Sequence, residues 1–95
     1  MNNVEHLLVK LSEECAEIIK EVDKALLFGL ENHHPRKVES NRERIEGEIN
    51  DLFGVIELLK DNGVDLLLNS IKVEAKKAKV KHYMEYAVIA GTLTV

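Results

Sequence analysis

Two acidic clusters carry the chemistry open to this sequence. The first is Glu13-Glu14-Cys15-Ala16-Glu17, and the second is Glu48-Ile49-Asn50-Asp51. Glu14 and Glu17 stand three apart, as do Glu48 and Asp51. On a helix, residues three apart point the same way from successive turns. The second cluster conflicts with its surroundings. At about 100° per residue, Ile45, Ile49, Leu52, Phe53, Val55, Ile56, Leu58 and Leu59 form one broad apolar arc. Glu48 falls inside it, between Val55 and Leu59, and Asp51 falls between Val55 and Leu58. Solubility alone would place carboxylates opposite the arc, where Glu46, Glu57 and Asp61 are. A carboxylate on the core side carries a desolvation cost until a lysine, an arginine or a divalent cation pairs with it.

The first cluster borders its apolar arc instead. Leu7, Leu8, Leu11, Cys15, Ile18, Ile19, Val22, Ala25 and Leu26 make that arc. Glu14 and Glu21 lie at its edge, with Glu17 and then Glu13 further out. Taken alone, such a cluster is ordinarily a solvated face. If the two helices pack antiparallel, four carboxylates converge between them. Hard oxygen ligands in that number suit Mg²⁺ or Mn²⁺.

An EExxE run on one helix followed by ExxD on the next resembles the MazG-type all-α nucleoside triphosphate pyrophosphohydrolases. The context is similar too: Lys10-Leu11-Ser12 precedes the first motif, and Leu52-Phe53-Gly54-Val55 follows the second. The likeness spans roughly residues 4–80. It implies Mg²⁺-dependent cleavage of a nucleoside triphosphate between the α and β phosphates, giving the monophosphate and pyrophosphate. By motif position it implies Glu14, Glu17, Glu48 and Asp51 as metal ligands. The separation between the motifs is long for compact members of that family. Phosphoribosyl-ATP pyrophosphohydrolase is a related alternative.

The supporting elements follow from composition. The chain has 95 residues, enough for a single domain. Two Tyr, two Phe and no Trp leave a core of Leu, Ile and Val. One proline and five glycines give little punctuation, which favours long helices over strands. The expected fold class is all-α. Three or four amphipathic helices are expected, with a four-helix-bundle core completed by homodimerisation, because the second helix is apolar over more than half its circumference. A dimer of dimers is the larger option. The net charge of −4 argues against nucleic acid as partner. It leaves a nucleotide open, since metal ions would carry positive charge to the phosphates. The single cysteine, Cys15, forms no internal disulfide and falls in an apolar arc, so it reads as a buried small hydrophobe. No signal peptide or transmembrane-length apolar run is present, and the expected location is cytoplasmic.

Asn2 or Asn3 caps a first helix that runs to about Leu27, where Phe28-Gly29 ends it. Lys10 stands one turn before Glu14, as an ion-pair partner or a phosphate contact. Residues 29–39 read as a connection, a lid or a subunit contact, and Pro35 disfavours helix at His34. Arg36 and Lys37 in it could reach a phosphate if the loop folds over the site. Glu31 and His34 have ExxH spacing, but a di-iron bundle needs a second such pair. Ser40 to Glu43 forms a capping box for the second helix, which ends near Asn62-Gly63. Gly47 and Gly54 are unusual inside a helix and suit a close approach by another one. Asp65 is the expected cap of the third helix. Lys72, Lys76 and Lys79 recur on one face, continued by Tyr83 and Tyr86, a row able to hold phosphates and stack a base; a solvated lysine face has the same pattern. The tail from Ala87 fits a strand, a packed terminus or a dimer contact.

The expected chemistry is metal-assisted phosphoanhydride hydrolysis, with Glu13 or Glu17 accepting the proton of the attacking water. No glycine-rich phosphate loop and no Ser or Cys nucleophile motif is present. The rival from another class is a non-catalytic helical interaction protein, in which Lys72 or Lys76 would neutralise the carboxylates.

Overall fold

The computed structural model describes residues 1–95 and contains three helices and no strand: α1 (Asn3–Phe28), α2 (Asn41–Asp61) and α3 (Ser70–Ile89). The all-α expectation holds, and no helix is long and apolar enough to cross a membrane.

Local chemistry sets most of the boundaries. Asn2 caps α1, its side chain accepting from Glu5 N at 2.8 Å. Gly29 ends the helix at φ 101°, a conformation that side-chain-bearing residues avoid. Ser40 and Glu43 form the complete capping box at the start of α2. The third helix departs from expectation. Asp65 does not cap it; residues 64–69 are irregular, and Asn69 is the cap. Its side-chain oxygen accepts from both Ile71 N and Lys72 N, which ties the helix start there. The helix then continues past Ala87 to Ile89. It closes with Gly91 at φ 79°, Gly91 N bonding Val88 O and Thr92 N bonding Ala87 O.

α1 and α2 pack against each other as a hairpin, and α3 packs against neither. The Cα radius of gyration is 16.9 Å, against about 12–13 Å for a compact chain of this length. Leu59 is the only apolar residue fully withdrawn from solvent. The apolar arc of α1 is covered on one flank only, leaving Ile19 and Leu26 exposed. Cys15 shares that uncovered flank and is exposed, contrary to the buried position its arc suggested. Within the chain nothing approaches Gly47 or Gly54: a Cβ at either would meet no atom within 4 Å.

Two connections lock the hairpin. Glu21 on α1 is buried and accepts two bonds from Arg44 on α2, from Nε and from Nη2, each at 3.0 Å. Lys24 Nζ adds a looser contact at 3.5 Å. At the closed end, buried Asn41 donates from its side chain to Gly29 O at 2.8 Å and from its backbone to Asn32 O at 2.7 Å. Arg42 pairs with Glu31 across the same turn, so Glu31 does not act with His34 as an ExxH pair.

Candidate metal centre

The antiparallel hairpin brings the two acidic motifs together. One carboxylate oxygen from each of Glu14, Glu48 and Asp51 lies within 4.8 Å of the other two. Glu14 and Glu48 are half-buried between the helices, and Asp51 opens to solvent. Glu17, Glu21 and Glu48 form a second set with the same spread. In that set both Glu21 oxygens are already held by Arg44, which leaves Glu14, Glu48 and Asp51 as the set free to bind. Glu17 is exposed at its rim, beside Glu48.

No lysine or arginine forms an ion pair with Glu14, Glu48 or Asp51. Arg44 feels the charge of Glu48, but its guanidinium is committed to Glu21. The consequence is visible at two atoms. Glu14 Oε2 is buried and has no hydrogen-bond partner. The Glu48 carboxyl is pushed above its ordinary pKa, first by desolvation and then by the charges of Asp51, Glu14 and Glu17. A proton shared between Glu48 and Glu14, or a cation, relieves both.

The donor set fits a small hard cation. Mg²⁺ binds oxygens at about 2.0–2.1 Å in an octahedron, which puts neighbouring ligands about 3 Å apart and opposite ones about 4 Å apart. The three oxygens, within 4.8 Å of one another, stand close to that spacing. A groove of about 300 Å³ opens to solvent at Glu48 and Asp51, its wall shared with Glu39, Glu43, Arg44 and Gly47.

The protein-family models, the curated proteins and the solved structures contain no match to this chain.

The other candidate residues are not gathered at the cluster. Glu13 points to solvent and pairs with Lys10 at 3.1 Å, so the Lys10 ion pair forms with Glu13 and not with Glu14. Lys72, Lys76, Lys79 and Tyr83 lie exposed on α3, away from the hairpin. Tyr83 makes an edge contact with His82, ring centroids 5.9 Å apart. The neutralisation of the acidic cluster by Lys72 or Lys76 does not occur within one chain.

Two residues escaped the sequence reading. Sequence alone gives Glu21 an arc-border position without a role and gives Arg44 none. Glu21 repeats the border position of Glu14 two turns later, and Arg44 stands one turn before Glu48. That shared register was the available signal.

Proposed function

We propose that this chain is a Mg²⁺-dependent nucleoside triphosphate pyrophosphohydrolase, with Mn²⁺ as a substitute ion, working as a homodimer or a dimer of dimers. The observation that carries the reading is the uncompensated Glu14–Glu48–Asp51 cluster, with a buried oxygen lacking any partner, at the meeting point of the EExxE and ExxD motifs. No lysine or arginine of the chain pairs these carboxylates, and a bound cation would offset the cost of withdrawing Glu14 and Glu48 from water.

Glu14, Glu48 and Asp51 would hold the ion, and Glu17 is placed to complete the set or to take a proton. When bound, Mg²⁺ supplies charge neutralisation for the triphosphate and acidifies water. Glu17 then accepts the proton as water cleaves the anhydride between the α and β phosphates, and pyrophosphate departs with the bridging electron pair. Arg44 occupies both Glu21 oxygens and so keeps them from serving as ligands. The proposed phosphate contacts of Lys10, Lys72, Lys76, Lys79 and Tyr83 require movement of Lys10 off Glu13 and a different placement of α3.

What one chain leaves uncovered supports the dimer. A 20-residue helix with no tertiary contact is marginal in water. Ile71, Met84 and Ile89 of α3 and Ile19 and Leu26 of α1 are all exposed, more apolar surface than a stable monomer carries. A second copy covers these faces and can bring its α3 lysines toward the acidic cluster.

The defining test is pyrophosphate release from a panel of NTPs and dNTPs, with Mg²⁺ and with EDTA. The expected result is metal-dependent release of pyrophosphate and the monophosphate. Absence of release together with absence of any Mg²⁺- or Mn²⁺-induced change in melting temperature would reject the reading. The dimer has its own test in Gly54→Ala. Alanine gains about 1 kcal/mol over glycine inside an exposed helix, and nothing in the chain obstructs it. If a partner helix seats against Gly54, the substitution shifts sedimentation toward monomer despite that helical gain. An unchanged dimer would remove the glycine from the interface.

A further inference from the structure

At the closed end of the hairpin lies a pocket of about 490 Å³ that differs in charge from the rest of the molecule. Lys24, Lys37, Arg44, His33 and His34 line it, with the Phe28 ring, and no carboxylate faces it. This occurs in a chain of net charge −4. Buried Glu21 is shared by Arg44 and Lys24, and Glu39 and Glu48 also act on Arg44, so Lys37 is the lining cation that no carboxylate pairs.

The donors are available. Lys37 forms no ion pair, and Lys24 has only the 3.5 Å contact to Glu21. His34 Nδ1 accepts from Arg36 N at 3.1 Å, so a neutral His34 carries its proton on Nε2 and can donate from there. The closed end of the pocket, at Asn32 and Asn41, is tied before any ligand arrives. Asn41 ties the start of α2 to Gly29 and Asn32, and Arg42 N bonds Leu30 O at 2.8 Å. The volume falls in the range of small-ligand sites, roughly 300–1,000 Å³, and exceeds what a bare inorganic anion fills.

We infer that this pocket is a metal-independent binding site for a phosphorylated small molecule, the phosphate held by Lys24, Lys37 and Arg44 and an attached ring resting on Phe28. It goes beyond the hydrolase reading and does not depend on it, because none of its cations is a proposed metal ligand. Arg44 adjoins both this pocket and the groove beside Glu48 and Asp51. A bound anion therefore competes with Glu21 for the same guanidinium and can alter the acidic cluster one helical turn away.

The test is calorimetric titration of the full chain with ADP and with inorganic pyrophosphate, both in EDTA. Both are expected to bind, and Lys37→Glu should weaken each by at least about tenfold, the scale of reversing one charge beside an anion at partial exposure. Lys37 is exposed on the loop, so the variant leaves the hairpin contacts intact. Lys24→Gln should weaken binding by a smaller factor. Phe28→Ala should weaken ADP alone if the ring packs on a base, and an equal effect on pyrophosphate would overturn the role of Phe28. No binding in EDTA, or an affinity indifferent to Lys37→Glu, would overturn the pocket while leaving pyrophosphate release from NTPs to decide the hydrolase separately.

Discussion

Glu48→Gln is expected to raise the melting temperature of the metal-free protein and to abolish the rise that Mg²⁺ produces in the parent chain. Glutamine keeps the shape of the side chain and removes the charge that Asp51, Glu14 and Glu17 oppose. Like charges within 4.8 Å repel by about 1 kcal/mol even in a water-like dielectric. In a domain of this size that corresponds to roughly 4–8 °C. With metal the sign reverses. Loss of a direct ligand should weaken Mg²⁺ binding by at least about a hundredfold, since substitutions merely adjacent to metal ligands already cost 10–100-fold. Both arms must be read at one protein concentration, because association adds to apparent stability. A variant less stable than the parent in EDTA would mean that Glu48 serves the fold, and the metal centre would lose its main support.

The same carboxyls give the metal-free protein a stability profile that turns over with pH. Glu48 titrates above its ordinary value in the folded chain. Between that raised value and the ordinary carboxylate range the native state binds more protons than the unfolded chain, so lowering the pH through this window adds stability. Glu21 behaves oppositely. Its bonds to Arg44 hold it below its ordinary value. The stability it contributes is present above the ordinary range and is lost as pH falls through its depressed pKa. Stability in EDTA should thus rise on mild acidification toward roughly pH 4–5 and fall below it. In Glu48→Gln the rising limb should disappear and the falling limb remain.

The parts of this architecture legible in the sequence are those encoded over three or four residues. Asn2 with Glu5 and Ser40 with Glu43 fix two helix starts by side-chain bonds that form without knowledge of the rest of the chain. The acidic cluster was legible for another reason: Glu48 and Asp51 contradict the periodicity around them, and a contradiction of that kind marks a site. Asp65 misled because it satisfies the same local rule as Asn69, and only the bonds to Ile71 and Lys72 show which of them caps α3. The buried position read for Cys15 failed because periodicity identifies an apolar face without saying whether one chain supplies enough partner to cover it. The Glu21–Arg44 pair spans 23 residues, and the cationic pocket gathers residues from α1, the loop and α2. Neither leaves a local pattern.

Arg44→Met is expected to cost about 2–4 kcal/mol of stability, a large share of what a hairpin with one fully buried apolar side chain can hold. Methionine retains much of the aliphatic bulk and removes the donors. Glu21 would then be a carboxylate at 1% exposure with only Lys24, at 3.5 Å, to face it. Removing one partner of a buried pair typically costs 3–5 kcal/mol because the other charge is left uncompensated, and Lys24 recovers part of that. Urea denaturation should show the loss as a lower midpoint. The paired variant Glu21→Gln with Arg44→Met should recover most of it, since no buried charge then remains unmatched. Recovery in the double variant would assign the loss to the stranded Glu21. Equal loss in single and double variants would assign it to the packing of the arginine stem, and the pair would then owe its place to keeping Glu21 out of the ion-binding set. Under that outcome Arg44→Met should still change metal affinity, because the Glu21 oxygens, already within 4.8 Å of Glu17 and Glu48, would no longer be occupied by the guanidinium.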